Sequence, residues 1–104
     1  MADTIKMRAN LKDGAVHVKA LIKHPMETGR RKDPESGEVV PAHFIQKIHA
    51  EYGDKEVFRG YWGTGVSANP FVSFVFEGGG KGDVVKLGWV DNQGHSDSAE
   101  IKIK

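Results

Sequence analysis

The stretch HPMETGRRKD, residues 24–33, sets a histidine, carboxylates and three cationic side chains within ten positions. Clustered cations such as Arg30, Arg31 and Lys32 suit a phosphate backbone, because they release its condensed counterions. The neighbours oppose that use. Across residues 24–42, Glu27, Asp33, Glu35 and Glu38 answer the three cations, so the segment nets about −1 and would not follow a polyanion. Two readings stay open: a solvated loop laced by internal ion pairs, and a protein-docking surface. Glu27 and Asp33 as an acid–base pair are disfavoured, since adjacent cations keep both ionised, which is wrong for a general acid. An enzyme would need Glu27, Arg30 and Asp33 to converge on one pocket.

The other chemistries fare no better. His43 and His49 on one strand would lie about 20 Å apart, and on a helix their spacing of six puts them on different faces. His24 could meet another histidine only through the fold, and nothing local predicts it. There is no GxSxG elbow, no cysteine, and no serine with an evident base beside it. The run GGGKG at 78–82 lacks the Ser or Thr and the helix of a phosphate-binding loop, and is expected to be a hairpin turn. No catalytic residue, metal ligand or cofactor is expected.

The elements that position these residues alternate apolar and polar between turn signals, the pattern of an all-β fold. The clearest strand has Val16, Val18, Ala20 and Ile22 on one face and His17, Lys19 and Lys23 on the other. Further strands are expected at 4–9, 43–52, 55–62, 70–77, 83–90 and 98–104, and about seven antiparallel strands in a chain of 104 residues suit an immunoglobulin-like β-sandwich. On 70–77, Phe74 and Phe76 share one face while Phe71 and Val75 take the other, as if that other face met a second surface. The segment 24–42 is too long for a hairpin connection, and such loops are functional or disordered.

The chain is expected to form one domain, 1–104. Its formal charge of +1, from 15 Lys and Arg against 14 Asp and Glu, supplies no global field for nucleic acid or acidic lipid. Without cysteine it forms no disulfide and carries no covalent intermediate on sulfur of its own. The polar start MADTIKMRANLKDG lacks the apolar run of a secretory signal, and no stretch is long enough to cross a bilayer as a helix.

Four blocks carry a resemblance: VKALIKHPMETGRRKD ending at Asp33, VPAHFI at 40–45, SANPFVSFVF at 67–76 and WVDNQG at 89–94. Together they resemble the SoxZ family of bacterial sulfur oxidation over nearly the whole chain. The first block is the most specific, and PESGEVV at 34–40 is less typical. The resemblance implies an immunoglobulin-like sandwich that pairs with SoxY, whose glycine-rich C-terminal arm ends near a cysteine bearing the sulfur intermediates. It implies that pathway enzymes load thiosulfate there, oxidise the carried sulfur and hydrolyse off sulfate, touching the carrier transiently. It also implies periplasmic residence, by co-export with the signal-bearing partner. An isolated chain would be prone to self-associate.

The candidate partner-contacting residues are therefore His24, Met26, Glu27, Arg30, Arg31, Lys32 and Asp33, with Phe71 and Phe74 on the aromatic strand. Pro25 and Gly29 set the loop's course, Met26 offers an adaptable apolar contact, and Arg30 and Arg31 suit carboxylates, backbone carbonyls or anionic sulfur groups. The alternative is a stand-alone immunoglobulin-like binding module.

Overall fold

The computed structural model describes residues 4–104; the first three residues of the polar start lie outside them. Seven strands follow in order: β1 (Ile5–Lys12), β2 (Ala15–Ile22), β3 (Ile45–Tyr52), β4 (Lys55–Tyr61), β5 (Phe71–Glu77), β6 (Val84–Asp91) and β7 (Ser96–Lys102). They form two antiparallel sheets, β1-β2-β5 and β4-β3-β6-β7. This is the expected all-β, immunoglobulin-like sandwich, in the variant whose fourth strand pairs beside the third rather than beside the fifth.

Three tight hairpins fix the register. Asp13 and Gly14 both have positive φ, 53° and 80°, the twist that a two-residue primed turn needs to join right-handed strands. Gly53 with Asp54 joins β3 to β4, and a four-residue loop ending at His95 joins β6 to β7. All other connections cross between the sheets.

The alternation seen in the sequence builds the core. Val16, Val18, Ala20 and Ile22 of β2 face Val72, Phe74 and Phe76 within their sheet's inner surface, opposite Ile48, Ala50, Val85, Leu87 and Trp89. Each fully buried Ile, Leu or Val stabilises the fold by about 1.5–3 kcal/mol. Phe58 stacks on Phe74 with ring centroids 4.6 Å apart. A strict period of two would turn Ile45 and Ile48 to opposite faces. The pairing of β3 with β6 shifts register between Ile45 and Lys47, and this bulge brings both isoleucines inside.

The run at 78–82 is not a hairpin turn. It carries the chain from β5 in one sheet to β6 in the other. A glycine run marks a reversal of direction but not which strands it joins. Here it also answers a packing demand: a Cβ on Gly79 would sit 2.5 Å from Val16 Cγ2 and 3.2 Å from Ile103 Cδ1. Val16 is fully buried and stiff at χ1, so it cannot swing aside. Gly79→Ala should therefore destabilise the protein by about 1–3 kcal/mol. Gly63→Ala, whose Cβ would point into open space, should change little. Urea unfolding of the two variants measures the difference.

Candidate functional site: a β-finger on a buried histidine–aspartate anchor

The long segment after β2 is neither a coil nor a lid. It is a small two-stranded finger. Glu27 and His43 exchange both backbone hydrogen bonds, at 2.7 and 3.0 Å, and Lys32 bridges Val39 further out. Val40 N–H donates to the Arg31 carbonyl, and Asp33 N–H to the Glu38 carbonyl. At the tip the Asp33 carboxylate accepts from Glu35 N–H at 2.9 Å, closing a turn that Pro34 and Gly37 permit. Near the base Gly29, with φ 85°, passes Ala42 so closely that a Cβ would lie 3.1 Å from the Ala42 methyl.

The base is held from inside. Asp91, at the end of β6, is buried with its side chain fully enclosed. Its Oδ1 accepts the backbone N–H groups of Gln93 and His95 at 3.0 and 2.8 Å. Its Oδ2 meets His24 Nε2 at 3.0 Å and His43 Nε2 at 2.7 Å, with His95 Nδ1 further off at 3.5 Å. One carboxylate thus joins the first residue of the finger, the residue that closes it, and the β6–β7 turn.

The protons follow from the partners. Met26 N–H donates to His24 Nδ1 at 3.1 Å, so Nδ1 keeps its lone pair and Nε2 carries the proton given to Asp91. Met26 has φ 49°, which turns its side chain inward, where its sulfur accepts Ile45 N–H at 3.3 Å. His24 and Met26 therefore satisfy buried donors at the seam between the sheets. Trp89 closes the anchor, its ring edge-on to His24 with centroids 5.1 Å apart.

Two further grips converge here. Asn69 and His24 pair through the Asn69 side-chain oxygen and the His24 carbonyl, at 3.1 and 2.9 Å. Asn92 accepts Phe44 N–H at 2.8 Å and, with Gln93, donates to the Ala42 carbonyl. The four sequence blocks that carry the resemblance, far apart in the chain, meet around one carboxylate.

His24, His43 and Asp91 bring ligand-type atoms within 4.8 Å of one another, the separation a metal site requires. The proton on His24 Nε2 opposes that use. A cation bound there would require an imidazolate whose Nδ1 still accepts Met26 N–H. The arrangement fits a hydrogen-bonded anchor better than a metal centre.

Burial by itself pushes the Asp91 pKa up, yet the hydrogen bonds from His24, His95 N–H, His43 and Gln93 N–H outweigh it. The carboxyl is held well below its ordinary value of 3.8. Its folded pKa being depressed, Asp91 contributes stability that is complete above about pH 5 and is lost as acid titrates it through the lowered value.

The sequence-derived candidates separate into two groups. His24, Met26 and Phe74 lie inside, at 3%, 5% and 9% exposure, where they pack within the fold. The alternating pattern around Met26 gave no sign of the inward turn that buries it. Arg30, Arg31 and Lys32 are exposed on the finger, and Phe71 is 62% exposed. Glu27 is gripped by Arg31 through two hydrogen bonds from Nε and one from Nη2, which lowers its carboxyl pKa and raises that of the guanidinium. With Glu27 committed to Arg31 and Asp33 to the turn, the Glu27–Arg30–Asp33 cluster does not assemble as an acid–base site.

The site is thus a β-sandwich bearing a two-stranded finger, in which the Glu27 and Asp33 carboxylates are held by the finger's own bonds. The family model for sulphur oxidation protein SoxZ matches residues 5–102, and the chain belongs to the SoxZ family. Membership places it in the Sox system of sulfur oxidation. Among curated proteins, none matches it.

Asp91→Asn tests the anchor. Whichever way the amide is turned, its NH2 faces N–H donors, so the variant should lose about 3–5 kcal/mol of stability. Its unfolding free energy should also be flatter between pH 5 and pH 3 than that of the parent. A pH series of urea titrations reads both effects.

Proposed function

We propose that this chain is the non-catalytic subunit of a two-chain sulfur carrier. It pairs with a SoxY-like subunit whose C-terminal cysteine covalently carries the sulfur intermediates of thiosulfate or sulfide oxidation. The observation that carries the reading is the family match across nearly the whole chain. The absence of cysteine from the sequence agrees with it, because the carried sulfur then has to sit on the partner.

In this reading the finger is a recognition element for what the carrier presents. Arg30, Arg31 and Lys32 stand exposed on a rigid support, and planar guanidinium groups suit carboxylates and oxyanions alike. Pathway enzymes touch the complex only transiently. The pair resides in the periplasm, where this chain arrives folded with its signal-bearing partner.

Native mass spectrometry of the complex captured with this chain, from its own cells grown on thiosulfate, tests the assignment. The expected result is a one-to-one complex with a protein that has a cysteine near its C-terminus and carries sulfur adducts there. Recovery of this chain alone while the pathway is active would overturn the assignment and favour a stand-alone binding module. Arg30→Ala combined with Arg31→Ala should leave the pairing intact and slow turnover by the pathway enzymes several-fold. Unchanged turnover would reduce the finger's charges to a structural part.

A further inference from the structure

The outer face of the three-stranded sheet is unlike the rest of the surface. Strands β1, β2 and β5 contain Lys6, Arg8, Lys12 and Lys19 against a single carboxylate, Glu77. In the four strands of the other sheet the opposite charges balance. The chain's overall charge of +1 therefore conceals a segregation, with one face strongly cationic.

An apolar stripe runs through that face. Leu21 and Phe71 are register partners on adjacent strands, 46% and 62% exposed, and Val75 lies further along β5 at 54%. Two shallow depressions adjoin across Lys6 and Leu21. One, of about 250 Å³, reaches Lys23 and Asn69 at the foot of the finger. The other, of about 300 Å³, is bounded by Arg8, Lys19 and Phe71. Apolar floors with cationic rims are the anatomy of a protein interface, with an apolar centre and a charged periphery.

We infer that this face is where the partner subunit seats, through an apolar centre ringed by carboxylates. The inference rests on the two-chain reading above. Charge complementarity selects the occupant. Two copies of this chain meeting here would bring like charges together, which opposes a homodimer. A polyanion would satisfy the cations and leave Phe71 and Val75 against water. An acidic-rimmed protein surface covers both. Docking here leaves the finger's exposed tip available for the transient contacts.

The test is surface plasmon resonance of the purified chain against the purified cysteine-bearing partner. Phe71→Asp should weaken Kd at least about 30-fold, as expected for a central aromatic anchor. Lys6→Glu with Lys19→Glu should slow association and flatten its dependence on ionic strength. Tyr61→Asp, an exposed aromatic on the opposite sheet, should leave Kd within twofold. All these side chains point to solvent, and circular dichroism checks that each variant folds. If the partner binds the Phe71 and lysine variants as tightly as the parent, or if Tyr61→Asp is the variant that fails, the surface is wrong and the two-chain reading stands. If native mass spectrometry recovers no cysteine-bearing partner from active cells, both fall together.

Discussion

The structure depends on one desolvated carboxylate. Asp91 is expensive to bury, and its position is tenable only because two imidazole N–H groups and two backbone N–H groups all converge on its oxygens. The same bonds that repay the desolvation also order the chain on every side. His24 can donate from Nε2 because Met26 N–H occupies Nδ1, and Met26 can reach back because its sulfur is occupied by Ile45 N–H. Each bond fixes the donor or acceptor state of the next, so the network has one self-consistent arrangement. The finger inherits its rigidity from that arrangement, since both ends of the segment are fastened to the same oxygen.

This anchor also explains why a long crossover is not a liability. A connection between sheets must leave the end of β2 and enter β3 across the mouth of the sandwich, where backbone groups would otherwise be buried without partners. The Met26 sulfur takes the buried Ile45 N–H, and the Asn92 and Gln93 side chains take Phe44 N–H and the Ala42 carbonyl. What remains of the segment pairs with itself outward, and its ion pair between Glu27 and Arg31 is exposed and dispensable to the fold.

Strand content was legible where the pattern is local. The alternation in β2, and the two apolar faces of β5 with Phe71 and Val75 opposite Phe74 and Phe76, appear in the structure as the residues suggest. Phe74 could not be assigned to core or partner from the pattern alone, because both faces of β5 are apolar and only the other sheet decides which one is covered. The anchor was illegible for a different reason. It joins residues 67 and 48 positions apart, and Asp91 in DNQG carries every mark of an ordinary turn residue. A histidine at each end of the long segment was the available signal, and it has meaning only once the segment is known to close on itself. The glycine run misled for a related reason: conformational freedom does not specify a destination.

Surfaces of different physical kind, held at fixed positions, can make a protein selective. Here the apolar and cationic face on the three-stranded sheet suits a durable contact, since hydrophobic area governs residence and rim charge governs encounter. The finger, with cations at its surface and little apolar area, suits contacts that form and release. Both are anchored through β2: its outward side chains, Lys19 and Leu21, belong to the face, and His24 follows its last residue, Ile22, after Lys23 alone. Seating a partner on that strand would place it beside the foot of the finger, where Asn69 pairs with His24. Because the finger's foot is immobilised by Asp91 rather than by the partner, its backbone is in place before any partner arrives, and only the side chains of its cations are left to be ordered at each encounter.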